Sequence, residues 1–240
     1  MDKSNPILVY FINAKGRAEF SRLIFIYAGI PFEDKGVSFE EYFEMRDRGQ
    51  LPFEQLPILW VDKAMIAQSC AIARYAAKRA GLYPEDSLLA AQTDMIVDAW
   101  RDVLDIFYGC YVDRVVDNGR LVMKMREVQL RIDKLNDFFK TTVPMHLGRF
   151  EEIISSDSNS PFLVGNSLTW ADLAVFDLVC TFDRTANFWN NPSTFFYIPE
   201  PHGPYQPPAE ILKPYPLVNE LSKIIQETPN IKAWLDSHPY

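Results

Sequence analysis

Residues 50–69 constrain the fold more than any other stretch. They read Gln50-Leu-Pro-Phe-Glu-Gln-Leu-Pro-Ile-Leu-Trp-Val-Asp-Lys-Ala-Met-Ile-Ala-Gln-Ser69. Leu56-Pro57 precedes the apolar run Ile58 to Val61, Asp62-Lys63 predicts a tight turn, and Ala64 to Ala67 returns as a second short strand. Gln68-Ser69 then opens the amphipathic run Cys70 to Arg79. A proline lacks the N–H that a sheet ladder needs, so Pro57 belongs at the first position of a strand or on an edge. It is also a candidate cis bond, because only X–Pro bonds carry a small penalty for cis. A cis bond there turns the N–H and C=O of Leu56 out of the sheet, toward a ligand lying extended alongside. Ser69, at the helix start, offers a hydroxyl and backbone N–H groups to a carboxylate. An ordinary hairpin followed by a capped helix satisfies the same residues, and the rest of the chain decides between them.

Upstream, Ile7 to Ile12 is a short apolar run suited to a buried strand. After the loop Asn13-Ala-Lys-Gly16, the residues Phe20, Leu23, Ile24 and Tyr27 recur at helical spacing, and Gly29 with Pro31 is a stop signal. Phe32 to Val37 predicts a second strand, and Ser38-Phe-Glu-Glu41 has the capping-box form that starts a short acidic helix. The order is β-α-β, a short helix, then β-β-α. A strand–helix–strand crossover implies parallel pairing, and the closing hairpin adds antiparallel strands. This is the thioredoxin-like plan, an α/β domain over residues 1–81.

Residues 82–86 form a short linker, and beyond it strand signals stop. Leu88, Leu89, Met95, Ile96, Ala99, Trp100, Val103, Leu104, Phe107, Tyr108 and Tyr111 recur at three and four, which predicts one long helix. Asn118-Gly119 breaks the pattern. Leu121, Met125, Val128, Ile132, Leu135 and Phe139 then predict another long helix with Pro144 as a kink. In Ser167-Leu-Thr-Trp-Ala-Asp172, Thr169 is placed to cap a helix whose third position is Asp172. That helix is apolar nearly all round, as a core helix is. Two more helices are expected near 217–227 and 230–237. Residues 87–240 therefore read as an all-helical bundle, interrupted at 185–216 by a long loop rich in proline and aromatics, expected to be ordered on the surface.

Composition excludes several function classes. A net charge of −8 and no basic stretch argue against a nucleic-acid or anionic-membrane binder. No run is long and apolar enough for a membrane span, and the first residues lack the apolar core of a signal peptide. Cys70, Cys110 and Cys180 sit far apart in apolar surroundings, as buried thiols of a reducing compartment do. His146, His202 and His238 do not cluster, and no metal site is expected.

The chain resembles the cytosolic glutathione transferases, and the sigma class in particular, which includes invertebrate transferases and glutathione-dependent prostaglandin D synthases. The matching stretches are Tyr10-Phe11, Gly16-Arg17-Ala18-Glu19, Leu51-Pro52-Phe53, Leu56-Pro57-Ile58-Leu59, Gln68-Ser69 and Ala71 to Tyr75. Phe162-Leu-Val-Gly165 and Thr169-Trp-Ala-Asp172 extend the match into the helical half. The resemblance implies a cytoplasmic homodimer that uses glutathione as co-substrate, with no metal, and attaches it to small hydrophobic electrophiles. A free thiol of this kind titrates near 8.5, and a phenol donating to the sulfur favours the thiolate. The resemblance gives this task to Tyr10, with Arg17 in electrostatic support. The first-helix loop carries no C-x-x-C, so the substrate must bring the sulfur.

The remaining implied contacts to glutathione are Phe11, the Leu56 backbone beside Pro57, Gln55 at the glycyl end, and Gln68 and Ser69 at the γ-glutamyl group. Asp102 matches the aspartate that sigma-class enzymes lend from the other subunit. Two departures stand out. The family's tryptophan between Ser38 and Gln50 is missing, with Tyr42 or Phe43 nearest to it, while Arg48 takes the place of the following lysine. The loop at 185–216 is longer than the family's usual connection. The electrophile pocket is expected between the domains, near Phe107, Tyr108 and Tyr111, residues whose apolar stripe also fits a plain core. Two other readings stay open: a glutathione-dependent lipid isomerase or peroxidase, and a non-catalytic crystallin-like protein.

Overall fold

The computed structural model describes residues 5–11, 15–183, 208 and 210–238. They form two compact units, one running through Asp86 and taking back the carboxyl-terminal segment from Gln226, the other spanning Ser87–Ile225.

In the first unit, β1 (Ile7–Phe11) leads through a 3-10 turn (Gly16–Ala18) into α1 (Glu19–Tyr27). Then come β2 (Glu33–Val37), α2 (Phe39–Asp47), β3 (Ile58–Val61), β4 (Ala64–Ala67) and α3 (Ser69–Ala80). The sheet order is β2-β1-β3-β4, with β1 parallel to β2 and both remaining pairs antiparallel. This is the thioredoxin-like topology that the order of elements implies. Strand alternation divides β1 between two faces. Val9, with Ile7 and Phe11, packs into one cluster with Tyr42 of α2, whereas Leu8 and Tyr10 face the other way.

The Ser38 signal in this unit acts as read. Ser38 accepts from the Glu41 N–H while Glu41 accepts from the Ser38 N–H, a complete capping box. Gly81 ends α3 in the left-handed conformation, φ 70°, which a glycine adopts without a Cβ clash. Leu82 N then reaches back to the Ala77 carbonyl at 2.9 Å, the Schellman pattern, with the Leu82 side chain buried.

The second unit contains α4 (Ser87–Tyr111), α5 (Val128–Asp137), a π turn (Phe138–Thr142), α6 (Val143–Ser155), α7 (Trp170–Asp183) and α8 (Pro216–Gln226, its last residue counted with the first unit). The apolar stripe of α4 is the core: Trp100, Val103, Leu104, Phe107 and Tyr111 are buried, and Phe107 packs its ring against Tyr111, Phe138 and Phe182. The Trp100 indole donates to the Asp177 carboxylate at 3.0 Å, so this buried acid in the almost wholly apolar α7 has a partner. Asp172 makes the expected return bond to the Thr169 N–H, while the Thr169 hydroxyl donates to the same carboxylate instead of accepting from the helix. The Asp172 carboxylate accepts from Thr169 N at 2.7 Å and Thr169 Oγ1 at 2.9 Å, and also from Leu163 N at 2.8 Å, which ties the preceding turn to the helix.

Two expectations need correction. The half expected to be all-helical contains a hairpin, β5 (Val112–Asp117) and β6 (Arg120–Met125), turning at Asn118 and Gly119 with φ 49° and 78°. Positive φ at both residues is the two-residue hairpin turn that Asn-Gly favours. Leu121 and Met125 therefore belong to a strand, and helix resumes only at Val128. The base of the hairpin is fastened by Arg126, whose N donates to Tyr111 O at 2.8 Å and whose guanidinium reaches Gly109 O at 2.9 Å and Asp113 at 2.6 Å. Second, the last helix, α9 (Pro229–Ser237), expected within a domain of residues 87–240, packs on α1 of the first unit. Asn230 Nδ2 donates to Tyr27 O, and Trp234 Nε1 to Glu19 Oε1. The loop expected to be ordered at 185–216 lies largely outside the described residues.

Candidate active site

The sheet register brings the sequence-predicted residues of the first unit to one end. Val9 pairs with Ile58, and Ile58 with Ala67, so Tyr10 lies across from Pro57, and Pro57 across from Gln68. On the other side, Phe11 pairs with Val37, one residue before the Ser38 cap of α2. The end of β1, the Leu56-Pro57 bond and the start of α3 thus form one row. The Leu56-Pro57 peptide is cis, as the sequence suggested.

Gln68 stands at φ 74° and ψ 118°, a backbone region that a residue with a Cβ seldom adopts, and its side chain makes no cap bond to α3. Strain of this kind costs of order 1–3 kcal/mol and persists where surrounding structure imposes it, commonly at ligand sites. Gln68 is exposed, and Ser69, which begins α3, is buried at the end of the row. The N-terminus of a twelve-residue helix favours an anion there. Backbone groups of an extended segment beside a cis-proline, together with a helix N-terminus, suit a short acidic peptide; glutathione, with two carboxylates, is one.

Other predicted residues fall less centrally. Gln55 is exposed immediately before Leu56, and Arg17 is half-buried in the 3-10 turn before α1. Arg48 ends α2 paired with Glu44 at 3.2 Å, the two side chains 67% and 64% exposed. Asp102 lies on the exposed side of α4 beside Arg101, at 3.7 Å. Of the two aromatics nearest the missing tryptophan, Tyr42 is buried and its hydroxyl donates to Glu54 O at 2.9 Å, fastening the loop before Leu56 to α2. Phe43 is exposed, with the Arg46 guanidinium 4.8 Å from its ring centroid. Phe11 packs its ring tilted against Phe39 and edge-on against Tyr42. Phe107 and Tyr111 are core residues, as their stripe allows.

Tyr10 is held by a group of charges that the sequence reading did not assemble. Its hydroxyl donates to Asp34 Oδ2 at 3.1 Å, and the Arg22 guanidinium lies 4.1 Å from its ring centroid. Arg22 also pairs with Asp34 through Nε at 3.0 Å and with Glu19 through Nη1. Glu19 and Arg22 are 1% and 2% exposed, so this is a buried ion pair on α1. Burial alone lowers the Arg22 pKa, but Glu19 and Asp34 outweigh it and the group stays charged. Burial raises the Tyr10 pKa and Asp34 adds to the rise, while Arg22 works against both. The guanidinium Nη2 has no hydrogen-bond partner among the described residues. A signal was present: Glu19 and Arg22 interrupt the apolar pattern of α1 at a spacing of three, which on a helix is a facing pair.

A cis-proline edge on a thioredoxin-like domain, followed by a helical unit, defines a two-domain class. Family models described as the N-terminal and C-terminal domains of glutathione S-transferase match residues 7–78 and 120–196. Glutathione S-transferase 3 of Caenorhabditis elegans is 31% identical over 235 residues, covering 97% of this chain and 96% of the relative. A glutathione S-transferase structure from Ascaris lumbricoides superposes with a TM-score of 0.71 at 26% identity, over 99% of this chain and 98% of that one. Prostaglandin synthase D of Nilaparvata lugens shares the fold, with a TM-score of 0.74 at 22% identity over 99% and 100%. The chain belongs to the glutathione S-transferase family. Among the described residues no helix is long and apolar enough to cross a membrane, and no group of His, Cys, Asp or Glu is placed to hold a metal ion.

Proposed function

We propose that the protein is a glutathione transferase of sigma-class type: it binds glutathione along the row from Phe11 through Leu56-Pro57 to Gln68-Ser69, and activates its thiol for addition to small hydrophobic electrophiles. The observation that carries this reading is the register placing Tyr10, cis-Pro57 and Gln68 side by side, in a chain with full-length transferase relatives. In it, the Leu56 backbone pairs with the cysteinyl part, Gln68, Ser69 and the α3 amides receive the γ-glutamyl carboxylate, and Gln55 and Arg48 serve the glycyl end. Tyr10 donates to the sulfur and Arg17 adds positive potential. Asp102 reaches the γ-glutamyl amine of the other subunit in a cytoplasmic homodimer.

Catalysis then consists of orientation and thiolate stabilisation. The sulfur attacks the electrophilic carbon, the pair of electrons forming the new C–S bond comes from the thiolate, and the electrophile carries away the displaced charge. The test is an absorbance titration of the bound thiol, wild type against Tyr10→Phe. A bound pKa at least one unit below the free value of about 8.5, restored toward it in Tyr10→Phe, is the expected result. Binding without a shift would sink the activating role of Tyr10, and absence of binding would sink the transferase reading.

A further inference from the structure

We propose that the Asp34 carboxylate and the sulfur of bound glutathione are alternative acceptors for the single Tyr10 hydroxyl hydrogen, which makes Asp34 a positioning residue that opposes thiol activation. The inference rests on the transferase reading for its second acceptor and on the structure for its first. A tyrosine hydroxyl has one hydrogen to donate, and here it is directed to Asp34 Oδ2. Asp34 pairs with Leu8, two residues before Tyr10. The hydroxyl therefore lies back along β1, away from the strand end where Pro57 and Gln68 line up. To serve a sulfur in that row the ring must turn forward.

Three features permit the turn. Directly opposite Tyr10 on β2 stands Gly36, which has no side chain to confine the ring from that side. In strands two χ1 wells are both common, so a second rotamer is available without strain. The Asp34 side chain is 25% exposed, so its bond to Tyr10 is not sealed in the interior.

Arg22 provides the fixed point. It is buried and held by Glu19 on its own helix and by Asp34 on β2. Trp234 of α9 donates to Glu19 at 3.4 Å, closing the cluster from the carboxyl-terminal side. Among the described residues, the charged groups that act on the phenol are Arg22 from α1 and Asp34 from β2, with Glu19 behind Arg22. Arg22 lowers the affinity of Tyr10 for its proton, working against burial. Asp34 acts in the opposite sense, raising the affinity of Tyr10 for its proton and holding the hydroxyl in the resting orientation.

The test compares the full chain with Asp34→Asn, singly and in a Tyr10→Phe background, by absorbance titration of glutathione-bound protein. Asparagine keeps an oxygen for Arg22 Nε but removes the charge that competes for the hydroxyl. The expected result is a bound thiol pKa about one unit lower in Asp34→Asn than in wild type, a tenfold gain in thiolate. No such change should appear when Tyr10 is Phe. In protein without glutathione, the phenolate titration of Tyr10 should also move to lower pH in Asp34→Asn. Asp34→Thr, a residue at home in a strand, is the second variant for the same comparison. An unchanged or higher thiol pKa, or an equal drop in the Tyr10→Phe background, overturns the proposal. Failure of the transferase reading looks different: wild type then fails to bind glutathione or leaves its thiol unshifted.

Discussion

Glu151 has no role in the site, yet it decides whether the chain's penultimate helix begins where it does. Helix α8 starts at Pro216, which has no N–H to lose, so its first donors in need of a partner are those of Leu217 and Val218. Both go to one side chain from α6: Leu217 N to Glu151 Oε1 and Val218 N to Glu151 Oε2, each at 2.9 Å. A carboxylate 66 residues away in sequence thus replaces a local cap. Glu151→Ala deletes two bonds to a charged acceptor in partly buried surroundings, each worth roughly 1.5–3 kcal/mol, with water recovering part of the loss. It also removes a negative charge from the helix N-terminus, worth roughly 0.3–1 kcal/mol. A net destabilisation of about 2–4 kcal/mol follows, or a fall in Tm of very roughly 4–16 °C for a chain of this size. Glu151→Gln keeps one oxygen and turns an NH2 toward the other donor, so it should cost about half as much. Urea unfolding gives the free energies, and hydrogen exchange at the Leu217 and Val218 amides locates the loss. A cost below about 0.5 kcal/mol for the alanine variant, or unchanged protection of those amides, would refute the assignment.

Further expectations concern groups elsewhere in the fold. Burial pushes the Asp172 carboxyl up from 3.8 to about 6, against the pull of its three donors. Its folded pKa thus exceeds its unfolded one, so this group's contribution to stability rises as pH falls from about 6 to 4 and is lost as pH rises back through that window. Carboxyl-carbon NMR should show the titration near 6, and Asp172→Asn should abolish the associated proton uptake. Gly119, at φ 78° with open space around its Cα, tolerates no Cβ without backbone strain. Gly119→Val should loosen the β5–β6 hairpin by about 1–2 kcal/mol, read as faster amide exchange across it, while α4 keeps its protection. Equal exchange in the two proteins would show that the turn is not what holds the hairpin. Cutting α9 away before Gln226 should expose Glu19 and Arg22 and destabilise the first unit, because Trp234 and Asn230 both bond to α1. A truncated protein with unchanged melting would contradict that docking.

Much of the architecture was written in local patterns. Pro57 ahead of two short strands, the Ser38–Glu41 box and the bond from Asp172 back to Thr169 each act over a few residues. Their physics is therefore complete within the segment that carries them, and the structure reproduces them. Periodicity also found the buried face of α4 from Ile96 to Tyr111, although Leu88, Leu89 and Met95 of the same stripe are exposed. It misled at Leu121 and Met125, where a spacing of four suits a helix but the Asn118-Gly119 turn had already committed the chain to a hairpin.

What the sequence by itself determined is most of the elements, those whose signals are local. Which groups meet was decided only in three dimensions. Strand register set Tyr10 against Asp34 and brought Pro57 beside Gln68, a long-range pairing that no window of residues contains. The last helix joined the first unit because Trp234 and Asn230 find acceptors on α1, more than 200 positions earlier in the chain. A hydrogen bond depends on where a donor ends up, and that is a property of packing. The residue types fix only which bonds are possible.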